Sequence, residues 1–166
     1  MEFEYKIKDG EVTIIKYIGS NKEVIIPRKI ENNYVTCIGG KAFHHNKLTH
    51  IQIPNSVTYI CSYAFNNNKL TNIELSKYIT YIGAYAFSNN KLTNDLHIPN
   101  SVTYIGNSAF QNNKLINVQI PDSVTNACDS TFNQNELTNL IIPNSVTKIH
   151  RNAFEKNKLT NIEIPD

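Results

Sequence analysis

Five histidines, His44, His45, His50, His97 and His150, are the side chains that could hold a metal. Zinc hydrolases need two histidines one helical turn apart with a glutamate between them, and no HExxH or related spacing occurs. Only His44, His45 and His50 lie near one another in the sequence. The three cysteines, Cys37, Cys61 and Cys128, are odd in number and irregularly spaced. Without a CxxC pair they support neither a zinc site nor a dithiol redox centre. Carboxylates such as Glu74 and Glu163 are scattered, and no pair recurs that could share acid and base roles. No serine or cysteine has a plausible base beside it in the frame of the repeats described below. Ile38-Gly39-Gly40-Lys41 carries glycines without the rest of a phosphate loop. The expectation is a chain with no catalytic residues, no cofactor and no metal.

Composition narrows the partners. The chain has 166 residues, enough for one domain, with a net charge of +2. Charged residues make up 18%, below the usual share of about 25%. Nucleic acid is not expected, because the net charge is small and no basic stretch is long enough to track phosphates. Membrane insertion is not expected either, since the apolar runs are as short as Val24-Ile25-Ile26. Met1 to Tyr5 lacks the basic flank and apolar stretch of a signal peptide. An intracellular protein and an exported one whose signal lies elsewhere both remain open.

What must position any functional side chain is a repeat. Leucine recurs at Leu48, Leu70, Leu92, Leu115, Leu137 and Leu159, at intervals of 22, 22, 23, 22 and 22. Phenylalanine keeps the same rhythm at Phe43, Phe65, Phe87, Phe110, Phe132 and Phe154. Proline follows at Pro54, Pro99, Pro121, Pro143 and Pro165, with Ser76 in its place once. The extra residue in the fourth unit falls at Asp95 and reads as a bulge. A unit of this length cannot bury its own apolar face, so successive turns must stack. In the turn from Leu48 to Lys69, Ile51 and Ile53 alternate with Gln52 as in a strand. Pro54-Asn55-Ser56 turns the chain. Val57 to Ile60 forms a second extended segment. Ala64-Phe65 leaves room only for one 3-10 or helical turn. Seven side chains point inward: Leu48, Ile51, Ile53, Val57, Ile60, Ala64 and Phe65. Asn46, Asn68, Asn90, Asn113, Asn135 and Asn157 never vary and read as a structural ladder, since asparagine tolerates left-handed backbone and bonds nearby main chain.

Two outward columns are candidate binding surfaces. On the first strand, Gln52, Glu74, His97, Gln119, Ile141 and Glu163 differ from turn to turn, on what the repeat marks as the most regular strand. The column beside it, His50, Asn72, Asn94, Asn117, Asn139 and Asn161, is nearly uniform and reads as structural. On the second strand stand Tyr59, Tyr81 and Tyr104, followed by Asn126 and Lys148, with Tyr63 and Tyr85 nearby. Tyrosines offer contact area at low entropic cost, and they also suit strands.

The run Ile53-Pro54-Asn55-Ser56-Val57-Thr58-Tyr59-Ile60 with Ala64-Phe65 resembles the BspA-like class of leucine-rich repeats. Its copies from Ile98 to Gly106 with Ala109-Phe110, and from Ile142 to Ile149 with Ala153-Phe154, do the same. The resemblance covers about residues 21–166. It implies a right-handed, mainly β solenoid of about six repeats and a partial one. It also implies a surface protein that binds host proteins, matrix or other cells. Departures are local: Ser76-Lys77-Tyr78 loses the proline, and Ala127-Cys128 replaces Ile-Gly. Residues 1–20 differ. Two β-rich runs flank Asp9-Gly10 and predict a hairpin cap over the first turn. The first coil carries extra residues at Glu31-Asn32-Asn33-Tyr34. At the other end Ile164-Pro165-Asp166 falls inside a repeat, so an intracellular scaffold that assembles end to end through this turn is the alternative. The three cysteines are expected to stay unpaired. Cys61 and Cys128 are three turns apart, and Cys37 is offset from Cys61 by two residues, beyond the reach of a disulfide.

Overall fold

The computed structural model describes residues 2–93 and 95–164. Asn94 of the uniform column and Pro165 of the proline slot lie outside the described residues. β1 (Phe3–Lys8) and β2 (Glu11–Tyr17) form the expected N-terminal hairpin. Asp9 and Gly10 turn it at φ of 51° and 78°, as a tight two-residue connection requires. Short strands and turns then alternate. The first half of the coil holds β3 (Glu23–Ile25), β4 (Lys29–Ile30), β5 (Asn33–Ile38), β6 (His50–Gln52), β7 (Tyr59–Ile60) and β8 (Tyr81–Ile82). The second half holds β9 (Leu96–His97), β10 (Tyr104–Ile105), β11 (Val118–Gln119), β12 (Asn126–Ala127), β13 (Asn139–Ile141), β14 (Lys148–Ile149) and β15 (Asn161–Glu163).

Pairing between turns is parallel, and it sorts the strands into two columns. In the second column β2, β5, β7, β8 and β10 lie side by side, with Ile38, Ile60, Ile82 and Ile105 in register. The hairpin strand β1 and the short β4 flank this sheet antiparallel, making seven strands. The extra residues of the first coil are the β4–β5 hairpin, turned by Glu31 and Asn32 at positive φ. The first column is less continuous. Its strands pair only as β3–β6, β9–β11 and β13–β15.

The sequence-predicted core is the observed one. Leu48, Ile51, Ile53, Val57, Ile60, Ala64 and Phe65 are all buried. Burial of each large side chain contributes roughly 1.5–3 kcal/mol before entropy is subtracted. The phenylalanines form a continuous stack from Phe43 to Phe154, with ring centroids 5.1 to 5.8 Å apart and planes within 18° of each other. Tyr17 takes the phenylalanine slot at the top of this stack, 5.6 Å from Phe43, and Phe3 meets Phe43 edge-on at 6.1 Å. The hairpin thereby covers the ring that a bare first turn would expose.

Each compact turn before the phenylalanine bonds in the 3-10 manner without becoming a helix. The Ala64 amide donates to the Cys61 carbonyl at 3.3 Å, and the Asn66 amide to the Tyr63 carbonyl at 3.2 Å. Between them Tyr63 takes φ of 61°, which ends any helical run. Among the described residues there is no helix, and so none that is long and apolar enough to cross a membrane.

The invariant asparagines form the expected ladder. Asn90 is typical: its amide donates to the carbonyls of Phe65 and Phe87, each at 3.0 Å, and its carbonyl accepts the Leu70 amide at 3.1 Å. The same three-way bonding recurs at Asn68, Asn113, Asn135 and Asn157. Asn46 stands outside it, above the irregular first coil, where Lys47 takes positive φ. Left-handed backbone falls on other residues than expected. It is the residue before each asparagine, such as Asn67, Asn89 and Asn112, that has φ near 55°. The invariance reflects side-chain bonding to the main chain of two turns.

Candidate functional site

The two outward columns differ in how the backbone supports them. The variable column sits on the first strand, which the repeat pattern marks as the more regular. The structure reverses this: the longest sheet belongs to the tyrosine column, continuous as far as β10 with β12–β14 paired apart from it, and residues 71–80 of the third turn lie in no strand. The turn below that stretch carries the extra residue, which leaves 72–75 without an in-register partner on that side. Register is restored at Asp95, whose carboxylate accepts the Asn117 amide at 2.8 Å, followed by Leu96 on Val118.

Grooves run along the first column, both where its strands part and across the paired β9 and β11. One of about 360 Å³ lies between β6 and the stretch after Thr71, lined by Gln52, Pro54, Asn72 and Glu74. A second, about 210 Å³, is lined by His97 and Gln119. A third, about 660 Å³, is lined by Gln119, Pro121, Ile141 and Pro143. Five of the six variable residues, Gln52, Glu74, His97, Gln119 and Ile141, therefore border grooves on one face. Residues two apart on a strand share a face, and the register pairs Ile25 with Gln52. Ile25 thus heads the same column and was missed from sequence, because Val24-Ile25-Ile26 reads as one apolar run. Ile25 is 69% exposed and Ile141 63%, so large apolar side chains bracket a polar middle.

The tyrosines are stacked rather than splayed. Tyr59 and Tyr81 lie 4.1 Å apart with planes within 4°, and Tyr81 and Tyr104 lie 4.7 Å apart within 9°. Tyr63 and Tyr85 form a second stack at 4.8 Å. Ring faces are spent on each other, so edges and hydroxyls remain for solvent. Burial, together with the neighbouring Tyr81 hydroxyl, pushes the Tyr59 phenol up to about 12.

The sulfurs of Cys37 and Cys61 lie 3.7 Å apart, so the two-residue offset does not separate them as expected. Cys37 pairs in register with Tyr59, and Cys61, two residues on, shares that face. Both remain thiols. Burial first, then the Cys61 sulfur, pushes the Cys37 thiol up to about 12. That is the opposite of an activated nucleophile. The His44 and His45 rings meet edge to face at 4.0 Å. Burial lowers the His44 pKa, and the charges of His45 and Lys41 lower it further. Among the described residues no three histidine, cysteine, aspartate or glutamate side chains gather as a metal site would require.

Comparison with known proteins agrees with this architecture. The model of the BspA type leucine-rich repeat region matches residues 14–136 and 82–166, in six copies. No curated protein matches the sequence. Among solved structures, a leucine-rich repeat protein from Bacteroides ovatus is 25% identical, with a TM-score of 0.69 over 99% of this chain and 52% of its own. A leucine-rich cell surface protein from Faecalibacterium prausnitzii is 27% identical, with a TM-score of 0.70 over 97% of this chain and 52% of its own. The pneumococcal vaccine antigen PcpA superposes with a TM-score of 0.79 over 99% of this chain and 49% of its own. At 21% identity it speaks for the fold alone. The chain spans about half the length of these three proteins.

Proposed function

The chain belongs to the BspA-type leucine-rich repeat family, and on that premise we propose that it is a non-enzymatic recognition module of a cell surface, binding a protein ligand along its first-strand face. The carrying observation is that Gln52, Glu74, His97, Gln119 and Ile141, which differ along the first-strand face, border its grooves, beside the near-uniform His50, Asn72, Asn117 and Asn139. Residues held by a stacked scaffold lose little freedom when a partner arrives, which keeps the ordering cost low. Ile25 and Ile141 are suited to anchor apolar groups, and Gln52, Glu74, His97 and Gln119 to read polar ones. The tyrosine face is the rival, because aromatic residues dominate interface hot spots. Its ring faces, however, are already covered by one another. A likeness to a leucine-rich cell surface protein supports the surface location.

The test compares two double variants. The immobilised chain is offered purified extracellular-matrix proteins, and whatever the wild type retains is offered to Glu74→Lys/His97→Glu and to Tyr59→Ser/Tyr81→Ser. Loss in the first variant alone supports the first-strand face. Loss in the tyrosine variant alone, with both variants folded, refutes it.

A further inference from the structure

One lysine per turn, unremarkable in the linear sequence, becomes a row when the turns stack. Lys47, Lys69, Lys91 and Lys114 precede the conserved leucines, and all four are exposed. The amide of each later lysine is fixed to the leucine carbonyl of the turn before: Lys69 to Leu48 at 2.8 Å, Lys91 to Leu70 at 2.9 Å, and Lys114 to Leu92 at 2.9 Å. The side chains therefore leave the coil from one line, in steps matching the 5.1 to 5.5 Å of the phenylalanines beneath. Lys22 lies in the threonine slot, since Glu23 pairs with His50, and its ammonium reaches back to donate to the Asn46 carbonyl.

Nothing in the fold asks for lysine here. Glu136 occupies the same slot one turn later, and its amide makes the same bond to Leu115 at 2.9 Å. Stacking like charges one strand spacing apart is unfavourable unless a counter-charge is near. Residues 45–50, 67–72, 89–93 and 112–117 contain no aspartate or glutamate. Among the described residues the ammonium groups of Lys47, Lys69, Lys91 and Lys114 make no ion pair. Asp95, nearby, is bonded to Asn117. The row ends where Glu136 takes Lys158 at 2.8 Å. The Glu136 carboxyl is held below its ordinary range by the Lys158 hydrogen bond first, then by the Lys158 charge and more weakly by Lys114.

We propose that this row binds an acidic polysaccharide, a sugar chain carrying carboxylate or sulfate at regular intervals along its length. A straight line of cations at constant pitch fits a linear polyanion better than a compact one. Its flanks choose the polymer class. Thr49 and Thr71 on one side, and Asn67, Asn89 and Asn112 on the other, carry hydroxyl and amide groups, the chemistry that meets sugar hydroxyls; Thr49, Asn67 and Asn112 also donate within the coil, to the Lys22 carbonyl, Asn66 and Asn89. Single-stranded nucleic acid would need aromatic side chains interleaved with the cations. None of the row's four segments contains a phenylalanine, tyrosine or tryptophan, and the imidazoles of His45 and His50 fall in the first segment alone; the tyrosine stacks belong to the second-strand sheet. This surface is separate from the groove column and stands whether or not that column binds protein.

The test is affinity for fluorescent polygalacturonate and heparin oligosaccharides, with oligo-dT and poly-glutamate as alternative polyanions, over a salt titration. Lys69→Gln/Lys91→Gln/Lys114→Gln removes three charges from the row, and Lys6→Gln/Lys8→Gln/Lys16→Gln removes three from the hairpin. Wild type is expected to bind at least one sugar polymer more tightly than either alternative. The row variant should lose about tenfold or more, with a salt dependence shallower by about one per lysine removed. The hairpin variant should match wild type. Equal loss in both variants would reduce the row to diffuse attraction and overturn the proposal. Tighter binding of oligo-dT or poly-glutamate would transfer the row to that class of partner, and no binding of either sugar polymer would remove it.

Discussion

Replacing Asn90 separates the bonding role of the asparagine ladder from mere repetition. Its side chain is 8% exposed and serves three backbone groups: the Leu70 amide and the carbonyls of Phe65 and Phe87. A fourth contact, to the Ser88 carbonyl at 3.4 Å, is too long to add much. Asn90→Ala leaves the Leu70 amide without a partner, at a cost of about 1–3 kcal/mol when buried, and takes one of two donors from each carbonyl, since Phe65 keeps Asn68 and Phe87 keeps Asn113. Each lost carbonyl bond adds about 1 kcal/mol and water entering the vacated volume recovers part of the total, so the expected loss is about 2–3 kcal/mol. Asn90→Asp keeps the acceptor for Leu70 and loses the donor. At neutral pH its carboxylate faces two carbonyl oxygens, which raises its folded pKa above the unfolded value of about 3.9. A raised folded pKa means stability present below the unfolded value and lost as pH rises through the folded one. The deficit of Asn90→Asp against wild type should therefore be largest at pH 7 and shrink toward pH 4, where the protonated acid donates one bond. Urea midpoints by circular dichroism at the two pH values read this, and hydrogen exchange at the Leu70 amide reads it locally. An Asn90→Ala loss under about 1 kcal/mol, or an Asn90→Asp deficit independent of pH, would refute the three-bond account.

Phe87→Ala should cost about 3–5 kcal/mol. Phe154→Ala should cost less, because Phe87 is fully buried between rings at 5.2 and 5.5 Å while Phe154, among the described residues, has one ring neighbour, at 5.8 Å; equal denaturant midpoints would contradict nearest-neighbour stacking. Gly83→Ala should destabilise by about 1–3 kcal/mol, since an added Cβ would sit 2.5 Å from the Ser62 nitrogen; an unchanged melting temperature would show that the turns can part there freely. Cys37 should resist iodoacetamide at pH 8 in the folded chain and react once it unfolds, because its thiol is pushed up to about 12; peptide mapping that finds rapid native-state labelling would refute this. The same shift makes stability fall as pH climbs from the ordinary thiol range of about 8.5 toward 12, and Cys37→Ser should flatten that alkaline decline.

Periodicity alone determined the coil, its inward side chains and the structural part played by the asparagines, because a unit that cannot bury its own apolar face has no other solution than stacking. Asp9-Gly10 likewise determined the hairpin, through backbone angles that few other residue pairs accept. Tertiary structure decided whatever depends on distance between turns. The offset of Cys37 from Cys61 did not show that their sulfurs touch, since sequence spacing gives no account of which side chains share a face across neighbouring strands. The regularity of Ile51 and Ile53 did not show that 71–80 would leave the first-strand sheet, because strand pairing depends on the register of both neighbours and one of them carries an extra residue. Tyr17 did not announce itself as the cap of the phenylalanine stack, as its slot is recognised only by the bond from its amide to the Ala42 carbonyl. The lysine row was invisible for the same reason. One charge in 22 residues is dilute along the chain, and stacking at about 5 Å per turn concentrates it into a line.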